Sequence, residues 1–167
     1  MDLFEVFRKR QSVRAYLPKP VEESKLQAIL ESVRSAPSAG NFQPYEIYVI
    51  RKPEQIQSLT NATFSQNFIA QAPVALVFCT SSSRCQYDAK DYYALQDTVI
   101  ATTFAMLAIK ALGLETCWVA AFAPENVAKV LGLPAGHVPV AIMPVAYGAE
   151  TPERTTRREL NEFVHEL

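Results

Sequence analysis

The sequence predicts one domain in which helices and strands alternate, of the α/β or α+β class. Three observations carry this expectation. Segments of helical and strand-like period follow one another with no linker, repeat or compositional break. A chain of 167 residues, 49% apolar and 20% charged, is able to bury a sizeable core. The run Pro73 to Thr80 (PVALVFCT) is apolar throughout, as suits a strand buried on both faces.

The elements follow in order. Leu3, Val6, Phe7 and Arg10 fall at helical spacing and predict a short opening helix, ended by Pro18 and Pro20. Leu26, Ile29, Leu30 and Val33 form an apolar stripe behind Glu22 and Glu23, whose charge suits a helix N-terminus. Ser35 to Pro44 (SAPSAGNFQP) reads as a loop, and Tyr45 to Arg51 as a strand. Pro53 to Leu59 suits a short helix with proline in its first turn. Ser81 to Tyr93 is polar and has no clear period. Ala94 to Leu112 reads as a long helix stopped by Gly113. Glu115 to Ala120 is an expected strand and Pro124 to Leu131 an expected helix. Val138 to Tyr147 is a final strand run broken by Pro139 and Pro144. The charged tail, Thr151 to Leu167, is expected to be partly helical.

Composition excludes several classes. A net charge of −1 gives no general attraction to nucleic acid. Arg8, Lys9, Arg10 and Arg14 are followed by no apolar core, so the N-terminus is not a signal peptide. Thr98 to Leu114 holds Lys110 and three threonines, which favours a helix buried in protein over a membrane span. The expected location is the cytoplasm. Cys79, Cys85 and Cys117, with His137 and His165 read as surface residues, suggest neither a disulfide framework nor a metal site. The long helix has another implication. Val99, Ile100, Phe104, Met106, Leu107 and Ile109 point in nearly all directions, so the helix needs cover on every side. A homodimer with this helix near the interface is expected; a helix at the centre of a monomeric core is the alternative.

No GxGxxG, P-loop, HExxH or GxSxG motif is present, and nothing pairs a nucleophile with a general base. An enzyme built on this chain therefore needs a cofactor for the hard chemistry. A split cationic site is present. Arg8 to Arg14 carries four positive charges in seven residues, and Arg154, Arg157 and Arg158 lie near the other terminus. With Ser12 they suit a phosphomonoester, which takes planar guanidinium forks and hydroxyl donors. Solvated surface charge is the plain alternative. The loop Pro37 to Pro44 adds Asn41 and Gln43, whose amides both donate and accept, as the polar edge of a heteroaromatic ring requires. An ordinary turn is the alternative there.

RQSVRAY (Arg10 to Tyr16), SAPSAGNFQPYEI (Ser35 to Ile47), GLETCWVAAF (Gly113 to Phe122), LGLP (Leu131 to Pro134) and PVAYG (Pro144 to Gly148) together resemble the nitroreductase family of flavin enzymes. Each motif is weak alone; in this order, spanning nearly the whole chain, they are specific. The resemblance implies an α+β fold with a central mixed sheet flanked by helices, in an intertwined homodimer. Residues 1–167 would form a single FMN-binding domain, with FMN at the subunit interface. Arg10, Gln11, Ser12 and Arg14 would hold the phosphate and the pyrimidine side of the ring, and Arg157 or Arg158 would complete the phosphate cradle. Pro37, Ser38, Ala39 and Asn41, with Gln43 nearby, would approach the flavin from the partner chain. Ala120 and Ala121 would lie near flavin N5, although Ala121 stands where many members have glycine.

The implied function is a ping-pong cycle. NAD(P)H passes hydride to flavin N5, and a nitroaromatic, quinone or similar acceptor then takes two electrons. No catalytic side chain is implied. Trp118 and Phe122 are candidate pocket walls, with core packing as the alternative. Ser81 to Tyr93 is the one segment able to act as a lid, and a plain surface loop is its alternative. Gln96 and Asp97 offer another polar contact, with Asp97 read first as an N-terminal helix charge. The rival function is a flavin-binding or flavin-handling module without robust turnover.

Overall fold

β2 (Val74–Ser81) is the element on which the others are stacked in the computed structural model, which describes residues 1–167. It lies between β1 (Tyr45–Ile50) and β3 (His137–Val145) and pairs antiparallel with both. Every residue of β2 is buried. Its alternate side chains enter two different cores, because strand side chains point to opposite faces. Val74, Leu76 and Phe78 pack with Leu26, Ile29 and Val33 of α2 (Glu23–Arg34) and with Ala101, Ala105 and Ile109 of α4 (Lys90–Ala111). Ala75, Val77 and Cys79 face Ile56 and Leu59 of α3 (Pro53–Ala62) and Val127 of α5 (Pro124–Leu131). The α+β class holds. The pairings within the chain are all antiparallel, however, where a mixed sheet is expected.

The opening helix is α1 (Leu3–Lys9), capped by the Asp2 side chain, which accepts from the Glu5 N–H. α4 starts four residues before the expected Ala94 and ends ahead of Gly113, whose φ of 75° supplies the left-handed stop. The residues α4 turns inward are mostly small: Ala94, Thr98, Ala101, Thr102 and Ala105. Large apolar residues lie on its outer side, with Leu95 48%, Val99 37% and Phe104 36% exposed. No helix is long and apolar enough to cross a membrane.

Four expectations are corrected. Pro139 and Pro144 do not break the last strand. Phe78 pairs with Ala141 but Cys79 with Pro139, so Val140 is the extra residue of a bulge, where a proline is tolerated. Pro144 turns its donorless nitrogen away from β2. On that side Ile142 exchanges hydrogen bonds with Val119 and Ala146 with Glu115. Cys117 therefore faces Pro144 with no donor between those bridges, which is why Glu115 to Ala120 makes isolated bridges and not a strand. The tail forms only a short 3-10 turn at Leu160–Glu162. Leu160, Phe163 and Val164 are at least half exposed, so the tail gains little helix from tertiary contact. His137 is half-buried, not a surface residue, with its Nδ1 2.6 Å from the Tyr48 hydroxyl; His165 is exposed as expected.

Phe78 is fully buried at the centre of the sheet. Phe78→Ala should cost about 3–5 kcal/mol in urea unfolding, with an unchanged m-value.

Candidate functional site

The two ends of the chain lie side by side. Ala149 N–H donates to Ala15 C=O and Leu17 N–H to Tyr147 C=O, both at 2.8 Å, and Tyr16 bridges to Gly148. The Gln11 side-chain amide donates to Pro152 C=O at 2.9 Å, and the Glu150 carboxylate accepts from the Arg14 N–H at 2.5 Å. Gly148 permits this approach, since a Cβ there would stand 2.9 Å from the Glu115 side chain. Val13 and Tyr16 anchor the segment in a small core with Ala72 and Ala146. The Tyr16 hydroxyl donates to Val13 C=O, and burial holds its pKa well above the ordinary tyrosine value.

With Val13 directed inward, Ser12 and the exposed Arg14 project on the other side of this extended stretch. They line a cleft of about 460 Å³ with Arg10, Gln11, Arg154, Thr155 and Arg157. Phe7 forms one wall, and Glu153 is the one carboxylate in the lining. Arg34, Arg51 and Arg158 elsewhere in the chain each pair with a glutamate. None of Arg10, Arg14, Arg154 and Arg157 forms a salt bridge. Arg157 is steadied by its own turn, donating to Thr155 Oγ1 at 2.6 Å. Arg158 is directed away, toward Glu162 and the Phe163 ring. Of this pair, only Arg157 reaches the cleft.

Cys117 follows the residue whose carbonyl accepts from Val13 N–H. Burial raises its thiol pKa, against the opposing pull of Arg14, Ser12 and Arg10. The buried Cys79 is pushed up to about 12, by desolvation first and the charge of Glu46 second. Neither thiol is a poised nucleophile.

The other predicted residues lie elsewhere. Pro37 is exposed, and the turn after it is wound by Gly40, Asn41 and Gln43, with φ of 57°, 57° and 49°. Ser38 Oγ accepts from Gln43 N–H at 3.1 Å, and the Gln43 side chain donates to Asn41 C=O at 3.0 Å. Ala39 N–H donates to the carboxylate of Asp97. Asp97 is thus a buried residue in the body of α4 and not an N-terminal helix charge. Segment 81–93 sets Tyr87 against Phe42, with ring centroids 5.3 Å apart. Ala120 and Ala121 form an exposed turn, with Ala121 C=O accepting from Gln66 at 2.9 Å. Phe122 is buried in the core on the α3 side of the sheet, and Trp118 packs against the α2 side. One chain therefore joins Arg10, Gln11, Ser12, Arg14 and Arg157 in a cleft. It does not bring Pro37, Ser38, Ala39, Asn41, Gln43, Ala120 or Ala121 to that cleft.

Sequence reasoning offered Asp97 and Gln66 as polar contacts and did not foresee their roles as backbone supports. Both act on backbone groups 58 and 55 residues away, and no local pattern signals such contacts.

The sequence profile of the nitroreductase family matches residues 7–82 and 60–147. The chain belongs to the nitroreductase family, and its class is that of a nitroreductase-like oxidoreductase. It is 29% identical to an NADH dehydrogenase of Thermus thermophilus, over 93% of this chain and 91% of that protein. It is 27% identical to an FMN reductase (NAD(P)H) of Bacillus subtilis, over 88% of this chain and 66% of that protein. The fold superposes on the crystal structure of a nitroreductase family protein from Clostridium novyi with a TM-score of 0.83, at 25% identity, covering 93% and 89% of the two chains.

All three cysteines are buried and free. Ellman's reagent at mildly alkaline pH should therefore modify none of them quickly in the native protein and all of them in urea; rapid native labelling of Cys117 would contradict its placement.

Proposed function

We propose that the chain is an FMN-dependent oxidoreductase, working as a homodimer, that takes hydride from NAD(P)H and reduces nitroaromatics, quinones or similar small acceptors in a ping-pong cycle. The observation that carries this reading is the set of four guanidinium groups without carboxylate partners around one cleft. A phosphomonoester carries a charge of about −1.5 to −2 and three acceptor oxygens at neutral pH. The donor set fits it. Arg10, Arg14 and Arg157 supply charge-assisted hydrogen bonds, and Ser12 and Gln11 add neutral donors. Membership in the nitroreductase family and the FMN reductase relative favour FMN over other phosphate ligands.

FMN when bound supplies the hydride chemistry that no side chain of the cleft provides. The chain's own residues bind and orient. Arg10, Ser12 and Arg157 hold the phosphate end. The unneutralised charge of Arg14 favours negative charge developing nearby on reduction. Ser38, Ala39, Asn41 and Gln43 present backbone and amide groups from the partner subunit, with Pro37 leading into that turn. Ala120 and Ala121 offer an exposed backbone to the ring. This division explains why one chain leaves the two groups of residues apart.

The homodimer is supported by what the isolated chain exposes. Leu95, Val99 and Phe104 of α4, and Leu3, Phe4 and Phe7 of α1, are all more than a third exposed. In the tail, Leu160, Phe163 and Val164 are half exposed or more. So much apolar surface in one small protein marks an interaction face.

Three measurements test the reading. Arg10→Ala and Arg14→Ala should each weaken FMN binding by about 10- to 100-fold, the worth of a charge-assisted hydrogen bond, in a fluorescence titration. Arg158→Ala should bind within about threefold of wild type, because its guanidinium is held by Glu162. Val99→Asp should convert the dimer to monomer in light scattering and lose FMN with it. In steady-state assays NAD(P)H should bleach the visible flavin band, and a quinone should restore it with parallel reciprocal plots. A yellow protein that NAD(P)H never bleaches would instead be a flavin-binding module.

A further inference from the structure

Asp97 is 3% exposed, at the eighth position of α4. Both of its carboxylate oxygens accept from one N–H, that of Ala39, each at 3.1 Å. No cation pairs with it, and no other donor in the chain reaches it. Burying a carboxylate costs more than one backbone hydrogen bond returns, so the contact with the Ala39 amide is not explained by fold stability. The position of that amide is informative. Ala39 opens the turn in which Gly40, Asn41 and Gln43 are all left-handed, a winding that side chains other than glycine resist. Within the turn, Ser38 Oγ holds Gln43 N–H and the Gln43 side chain holds Asn41. The turn is braced internally, and the carboxylate ties its first amide to the long helix beneath.

We propose that Asp97 is a positioning residue for the cofactor: through the Ala39 N–H it fixes the Ser38–Gln43 turn in the geometry that meets the flavin across the subunit interface. This rests on the FMN reading above. A turn that faces a ligand must be held at a defined height, and a carboxylate that meets one N–H with both oxygens holds it there. The residue touches neither flavin nor substrate and acts through the backbone of the turn.

The test uses the full-length dimer with Asp97→Ala and Asp97→Asn. Amide exchange at Ala39 is measured without ligand; FMN affinity and the visible circular dichroism of bound FMN are measured on loading. Asp97→Ala should speed Ala39 exchange and weaken FMN by about tenfold each, the effect of one lost hydrogen bond to a charged group, and should change the flavin dichroism. Asp97→Asn, which keeps an acceptor oxygen in place, should stay within about threefold of wild type and restore the dichroism. Faster Ala39 exchange with wild-type dichroism and affinity would make Asp97 a structural tie only and overturn the proposal. An Asn variant as defective as Ala would also overturn it. If Asp97→Ala does not fold, Asp97→Glu displaces the same charge by one methylene; altered dichroism then supports the proposal and wild-type dichroism overturns it. Failure of the wild-type protein to bind FMN in an Arg10-dependent way would sink the FMN reading itself, and the positioning role with it.

Discussion

The antiparallel contact between the two ends of the chain is the constraint on which the site depends. Residues 10–17 and 147–152 are far apart in sequence, and their backbone bonds at Ala15 and Tyr147 place them side by side. Without that contact the arginines near each terminus would repel one another into solvent. With it, Val13 and Tyr16 are buried, and Arg10, Gln11, Ser12 and Arg14 line one cleft. Packing and electrostatics oppose each other here. The buried apolar residues and backbone bonds stabilise a stretch rich in positive charge, an arrangement suited to a ligand of opposite sign.

The sheet performs a different task. β2 serves two cores at once, so small and large residues must be placed by face, and its uninterrupted apolar run reflects that demand. α4 lies on one of these faces with its small residues inward, which lets it approach the sheet closely. Leu95, Val99 and Phe104 are left on the outside. That arrangement inverts the usual amphipathic helix and leaves an apolar outer face.

Much of this was legible in the residues, for identifiable reasons. Helices α2 and α5 and strand β1 follow from local period and end signals, which act within one element. The cleft residues Arg10, Gln11, Ser12 and Arg14 are adjacent in sequence, so the extended conformation alone groups them. The misreadings involve distant partners. Glu115 to Ala120 has a strand-like composition, and only Pro144, opposite Cys117, denies it a ladder. Asp97 reads as an N-terminal helix charge, and its partner, the Ala39 amide, lies 58 residues away. Arg157 and Arg158 are neighbours of identical chemistry, and the Glu162 carboxylate alone separates their fates. The charged tail reads as partly helical, but helix in a short segment needs a packing surface, and its apolar residues are half exposed or more.

The unpartnered guanidinium groups have one more consequence, for the protein before any ligand arrives. Like charges held close by a folded backbone repel, and unfolding relieves that repulsion. Such repulsion lowers thermal stability, and any species that binds the native form alone would offset it by mass action. Simple oxyanions in a buffer, sulfate or inorganic phosphate, would raise the melting temperature more than chloride at equal ionic strength. In a cell, the cofactor supply would then govern how much of the polypeptide survives proteolysis as well as how much is active.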